Sequence, residues 1–224
     1  MVRNARAGMT LVELMIALVL VGVMLTMGIS TLGEWADQQR AATSARSVAD
    51  AISLARAEAI RTGSNHIVAF DITSGLDGRT DDIVIVNDGP LGSTAGVSSN
   101  CRIAASEITY HVALERGVRF GTTQSSGGAP NDPGSAAEAA TGTTFKDAAG
   151  AAASWVMFGA DGMPRRFTQN GSTTPPCTAV GPAAQAAAAI YVSNDSRDYA
   201  IVMTPLGTAR VHRYRSSGAG SWTP

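Results

Sequence analysis

The stretch Gly8-Met9-Thr10-Leu11-Val12-Glu13-Leu14, continuing through Ile16-Ala17-Leu18-Val19-Leu20-Val21 to Ile29, decides how the whole chain is read. From Met9 to Ile29 the only charged residue is Glu13. About 21 residues at roughly 1.5 Å rise make a helix of about 31 Å, close to the hydrocarbon thickness of a bilayer. The stretch predicts a helix able to span a membrane.

What precedes it matters as much. Met1 to Gly8 is a polar leader carrying Arg3 and Arg6 and ending on a small residue. A secretory signal is cut after its apolar region, which is then discarded. Here the small residue comes first, so a cut between Gly8 and Met9 leaves the apolar helix on the mature chain. The positive leader predicts a cytoplasmic N-terminus and an exported remainder. Glu13 is costly in such a helix, about 2.5 to 3.5 kcal/mol on insertion scales, and calls for a partner. The new α-amine of Met9, about one turn away, can serve as that partner from a neighbouring copy.

These residues resemble the N-terminal signature of type IV pilins and the pseudopilins of type II secretion, with Met9 where that family most often has Phe. The resemblance implies a prepilin peptidase that cuts after Gly8 and methylates Met9. It also implies a role for Glu13 in docking the helix into a filament with other pilins.

Composition bounds the rest. The chain of 224 residues has room for one membrane helix and one soluble domain with its own core. With Lys+Arg 17 against Asp+Glu 18, no global attraction to nucleic acid or lipid head groups follows, so any such binding must be local. Cys101 and Cys177 are too far apart for a Cys-x-x-Cys metal or redox site. An exported domain is expected to join them, closing a loop of about 76 residues worth roughly 4 kcal/mol on the chain-entropy account. Two free buried thiols are the alternative.

Beyond Ile29 the helical pattern continues. Ala41, Ala45, Val48, Ile52, Ala55 and Ala59 draw one apolar stripe, and Gly63 is placed to end the helix. One helix is therefore expected from Met9 to Thr62, and Gly22, Gly28 and Gly33 permit a bend or local melting within it. From Asn65 the period shortens. His66–Phe70, Ile83–Val86, Glu107–Leu114, Val118–Phe120, Ser154–Phe158, Met163–Phe167, Ile190–Val192, Tyr199–Met203 and Thr208–Tyr214 read as short strands, about eight in number, with a hairpin at Gly159 to Gly162. Strands without intervening helices predict an α+β protein: a long N-terminal helix on a mainly antiparallel, sandwich-like domain. The expected organisation is a leader at 1–8, a transmembrane and assembly helix at 9–30, its amphipathic continuation at 31–62, and a periplasmic β-rich domain at 63–224. Within that domain 121–153 and 169–189 read as long loops, with a short helix at Ala183 to Ala189 as an alternative.

The soluble half adds to the resemblance. Phe158-Gly-Ala-Asp-Gly-Met-Pro, and Ile201-Val-Met-Thr-Pro-Leu-Gly before a basic strand, are similar to the C-terminal pattern of GspH/FimT-type minor pilins. Gly207-Thr-Ala-Arg210 stands where many of those have Gly-Arg-x-Arg.

No catalytic constellation declares itself. His66, His111 and His212 lack zinc-protease spacing, and there is no nucleophile elbow or phosphate-binding Gly-rich loop. Asp71, Asp77, Asp81 and Asp82 lack EF-hand spacing and read as solvated turns rather than a calcium site. No cofactor or metal is expected. Arg210, Arg213 and Arg215 form a basic end, which reads as a charged edge strand or as a weak DNA contact. On a strand Arg213 and Arg215 share one face, while Arg210 and His212 take the other.

The resemblance points to a non-catalytic minor pilin or pseudopilin of the bacterial inner membrane, acting at the tip or in filament initiation. A DNA-uptake subunit mounted on a pilus is the alternative, and an anchored periplasmic enzyme is a remote one.

Overall fold

A computed structural model describes residues 10–70, 82–89, 99–125, 128–132, 142–169, 180–183, 188–216 and 220–224, without the side chains of 25–32, 82, 105 and 180–183. Helix α1 spans Leu11–Thr62 among the described residues, and the expected start at Met9 lies outside them. Thr10 caps it. Its Oγ1 accepts the Glu13 amide at 3.2 Å, the bond of an N-cap, and its carbonyl accepts the Leu14 amide at 3.2 Å. At the other end Gly63 takes φ 64°, the left-handed conformation that closes a helix at C′. The helix runs through Gly22, Gly28 and Gly33 without interruption.

The chain divides into two compact units, Met1–Asp37 and Gln38–Pro224. In the first, no helix among the described residues is long and apolar enough to cross a membrane. The side chains described there before the gap at 25 are those of residues 10–24, fewer than the roughly 17 apolar residues that a span needs. The span expected over 9–30 therefore extends beyond the described side chains at both ends.

In the second unit the predicted stripe is fully buried: Ala41, Ala45, Val48, Ile52, Ala55 and Ala59 are all 0% exposed. Alanine at four of these six positions lets the helix backbone lie close to a sheet. Here it meets two sheets. In chain order the strands are β1 (Asn65–Phe70), β2 (Asp82–Gly89), β3 (Ile108–Ala113), β4 (Arg119–Phe120), β5 (Trp155–Phe158), β6 (Pro164–Phe167), β7 (Val180–Ala183), β8 (Ala188–Asn194), β9 (Arg197–Met203), β10 (Ala209–Arg215) and β11 (Ser221–Thr223). One sheet has the order β3-β2-β1-β5-β6-β7 and the other β11-β10-β9-β8-β4, with antiparallel pairing throughout.

The alternation of each strand sorts its residues between layers. Val68, Phe70, Ile83, Ile85, Val156 and Phe158 of the first sheet join Ile190, Val192, Ile201 and Met203 of the second around the helix stripe in one core. The opposite face of the first sheet, with Ile67, Ala69, Val84, Val86 and Met157, is covered by Cys101 and Ile103. Strand β1 is consequently buried at all six positions, the polar Asn65 and His66 included.

The α+β reading holds, with three differences. Among the described residues there are eleven strands rather than about eight. β7 and the start of β8 occupy part of the segment read as a loop at 169–189, so Ala183, Ala188 and Ala189 are extended rather than helical. The segment 121–153 also carries structure: Thr143 bridges to Ile190, Lys146 to Ala152, and Phe145 is 2% exposed against Phe70, ring centroids 5.5 Å apart and nearly parallel at 8°. Small residues flank Phe145 on both sides, which hides a core anchor inside a composition typical of loops.

Candidate functional site

At the N-terminus, Gly8 and Met9 lie outside the described residues, and Glu13 occupies the first turn of α1, exposed. The sequence Thr10-Leu-Val-Glu13 has the spacing of a capping box, and Thr10 fulfils its half by accepting the Glu13 amide. A carboxylate in the first turn also faces the positive end of the helix dipole. Thr10 thus caps the first turn, the turn that carries Glu13. Following it, Leu11, Val12, Leu14, Met15, Ile16, Leu18, Val19, Leu20, Val21, Val23 and Met24 are each at least 50% exposed. These positions go all round the helix, and a surface of that kind marks a site that other apolar groups cover.

Cys101 is buried and is not a free thiol. Its expected partner, Cys177, lies outside the described residues. Around Cys101 the chain is held by a buried polar cluster. The Asp88 carboxylate accepts the Ser99 hydroxyl, the Asn100 amide at 3.0 Å and the Cys101 amide at 3.3 Å, and Asn65 donates to Ser99 at 3.2 Å. Burial pushes the Asp88 carboxyl above its ordinary value, with these hydrogen bonds opposing. Burial raises Glu107 too, reinforced by the charge of Asp88. Cys101 takes φ 55°, the one non-glycine residue described with a positive φ. Among the described residues no three His, Cys, Asp or Glu side chains are placed to hold a metal ion. Asp71, Asp77 and Asp81 lie outside the described residues.

At the basic end, β9 flanks β10 on one side and the short β11 covers the last three residues of the other, with Arg213 opposite Thr223 and Arg215 opposite Ser221. The reading of a charge-guarded edge therefore fails for Arg213 and Arg215, because a C-terminal strand without a strong apolar signal covers them. Arg210 and His212 face away from Arg213 and Arg215. Both reach Asp132, His212 Nε2 at 3.0 Å and Arg210 at 3.5 Å, with the His212 and Asp132 side chains nearly sealed from solvent. The three arginines thus do not form one site. Arg213 and Arg215 instead border an open cleft of about 560 Å³ with Arg197, Gln38, Tyr214 and Ser216. Arg197 went unremarked in the sequence because its partners lie on another strand and on the helix. Its signal was the Asn194-Asp-Ser-Arg197 turn, whose Asn194 side chain accepts the Arg197 amide at 2.8 Å.

The histidines stay apart. His66 lies on β1, His111 on β3 and His212 on β10 of the other sheet.

Residues 3–29 match the family described as the prokaryotic N-terminal methylation motif. The match takes in Gly8, Met9, Glu13 and the apolar stretch, and it supports a type IV pilin-like prepilin N-terminus. No curated protein and no solved structure matches the chain.

Proposed function

We propose that the chain is a minor pilin or pseudopilin, a structural subunit that enters a type IV pilus or type II secretion pseudopilus by its N-terminal helix. The observation that carries this reading is a coincidence of two findings. The methylation motif covers residues 3–29, and the helix within it exposes apolar side chains all round. A helix of that kind needs lipid before assembly and other helices after it. On this reading the protein is cut at Gly8 and methylated on Met9. It sits in the inner membrane as a single-pass protein with its β-rich domain in the periplasm. Glu13 pairs with the Met9 amine of a neighbouring subunit. Cys101 pairs with Cys177, as suits an oxidising space. The GspH/FimT-type resemblance of the soluble half favours a place at the tip or in initiation.

The test is the intact mass of the protein extracted from membranes of cells with an active prepilin peptidase. Loss of residues 1 to 8 with the gain of one methyl group is expected, and a retained Met1 would overturn the reading. Glu13→Ala should leave the cut intact and impair assembly, because it removes the docking partner and leaves the cleavage site alone.

A further inference from the structure

The cleft at the end of the β9–β10 hairpin holds an arrangement that folding alone does not favour. The ladder pairs Ala209 with Met203 and ends with Arg213 opposite Tyr199, and Arg215 and Arg197, each two residues further along its strand, both border the cleft. Like charges brought close together on a sheet are destabilising. Arg213, two residues before Arg215, borders it too, so three guanidinium groups gather at one corner. Arg197 and Arg213 are half-buried there, which limits their escape into water.

Nothing described nearby neutralises them. Among the described residues neither Arg213 nor Arg215 makes an ion pair, and the Arg197 guanidinium donates to the neutral Gln38 side chain at 2.8 Å. The carboxylate bordering the cleft, Asp198, is fully buried and turned away. It accepts the amides of Thr123 at 3.0 Å, Gln124 at 2.7 Å and Ser125 at 2.6 Å, together with the Thr123 hydroxyl at 3.0 Å. Its hydrogen-bonding capacity is thus spent on the loop. Gln38, by accepting from Arg197, is left with its amide donors unused.

We infer that this cleft binds a phosphate group through Arg197, Arg213 and Arg215, with Gln38 orienting Arg197. Guanidinium forks match phosphate oxygens in geometry, and three of them supply more charge and more donors than a single carboxylate can use. The cleft's size fits a compact phosphate-bearing molecule or head group. It does not fit a duplex, whose backbone needs a run of cations, and Arg210 is turned to the opposite face and held by Asp132.

The experiment uses the full chain in a neutral detergent at low ionic strength, following its melting temperature and its binding heat. Two probes are titrated: inorganic phosphate, and glycerophosphoglycerol, the soluble head group of phosphatidylglycerol. Both should bind and raise the melting temperature. Arg197→Gln with Arg215→Gln should weaken binding at least tenfold. The same double variant should melt higher than the parent without phosphate, since the repulsion has been removed, and its melting temperature should no longer respond to phosphate. Arg210→Gln should bind as the parent does. Tighter binding of the diester identifies a lipid head group as the source, and tighter binding of the inorganic ion identifies free phosphate. The inference is overturned if neither probe binds, if the double variant binds as well as the parent, or if duplex DNA binds through these arginines while both small probes do not.

Discussion

Helix α1 shows two kinds of apolar surface on one element. Between residues 11 and 24 its apolar side chains are exposed on every side, from 50% at Val23 to 76% at Leu11. Between 41 and 59 the six residues of the stripe are all at 0% exposure, and other positions carry exposed polar residues such as Arg46, Asp50 and Ser53. Helix formation is common to both, so it cannot explain the difference. Periodicity and residue size do. The second half has a 3.6-residue stripe rich in alanine, which fits against two sheets of its own chain. The first half has large branched residues without a stripe, which no single sheet could cover. The first half is built for surroundings the chain does not itself supply.

That contrast is broken most directly by placing one charge in each half. Ala55→Asp puts an unpaired carboxylate where α1 meets both sheets, at a cost of several kcal/mol, about 3 to 5 when a buried charge has no partner. Against a total stability of about 5 to 15 kcal/mol, the β-rich unit should be largely unfolded or melt far lower. Val19→Asp should leave that melting transition unchanged while reducing the fraction of protein recovered with membranes. Circular dichroism melts of both variants check the first claim and membrane fractionation the second. Equal melting temperatures for Ala55→Asp and the parent would show that the stripe is not the core.

Phe145→Ala sharpens the picture inside the second unit. The ring is buried and stacked on Phe70, so its loss should cost about 3 to 5 kcal/mol in a denaturant titration. An effect below about 1 kcal/mol would return residues 142–147 to the status of a loop. A smaller effect is expected at Gly162, which has φ 72° and lies where an added Cβ would sit 2.6 Å from Ile60 Cδ1 near the end of α1. Gly162→Ala should cost about 1 to 3 kcal/mol through backbone strain and displacement of that side chain. Gly22→Ala, in the first half of the helix with nothing within 4 Å, should not move the melting of the β-rich unit.

Where the pattern was strong, the sequence was enough. The six-residue stripe, the Gly63 terminus and the runs that became β1, β2, β5 and β9 needed only periodicity, because each repeats its signal over several residues. The failures share one cause: a structural role resting on one residue or on a distant partner. Phe145 is one aromatic among small residues. Val180–Ala183 and Ser221–Thr223 are strands only because β6 and β10 offer edges to pair with. The gathering of Arg197, Arg213 and Arg215 at one cleft depends on how the β9–β10 hairpin folds, and the contact of Arg197 with Gln38 spans 159 positions of sequence. The split of Arg210 from Arg213 and Arg215, by contrast, followed from strand alternation alone.

The smallest effect expected is a pH dependence seated at His66. This residue lies in β1, paired with Asn87 on one side and Phe158 on the other, and is 1% exposed. Burial lowers its pKa below the ordinary imidazole value, while the Ser64 carbonyl, 3.3 Å from Nδ1, and the charge of Glu58 partly oppose that shift. In the unfolded chain the ring takes up a proton near pH 6.5. Between that value and the lower folded one, the unfolded state binds a proton that the native state does not, so stability rises with pH across the window. The stability tied to neutral His66 is therefore complete above about pH 6.5 and declines as the medium is acidified through the window. The other half of the helix has no part in this, since its apolar run contains no histidine. Urea titrations of the parent and His66→Gln between about pH 7.5 and 5 should show a shallower acid-side fall for the variant, whatever its absolute stability. Parallel curves for the two would mean that His66 carries none of the slope.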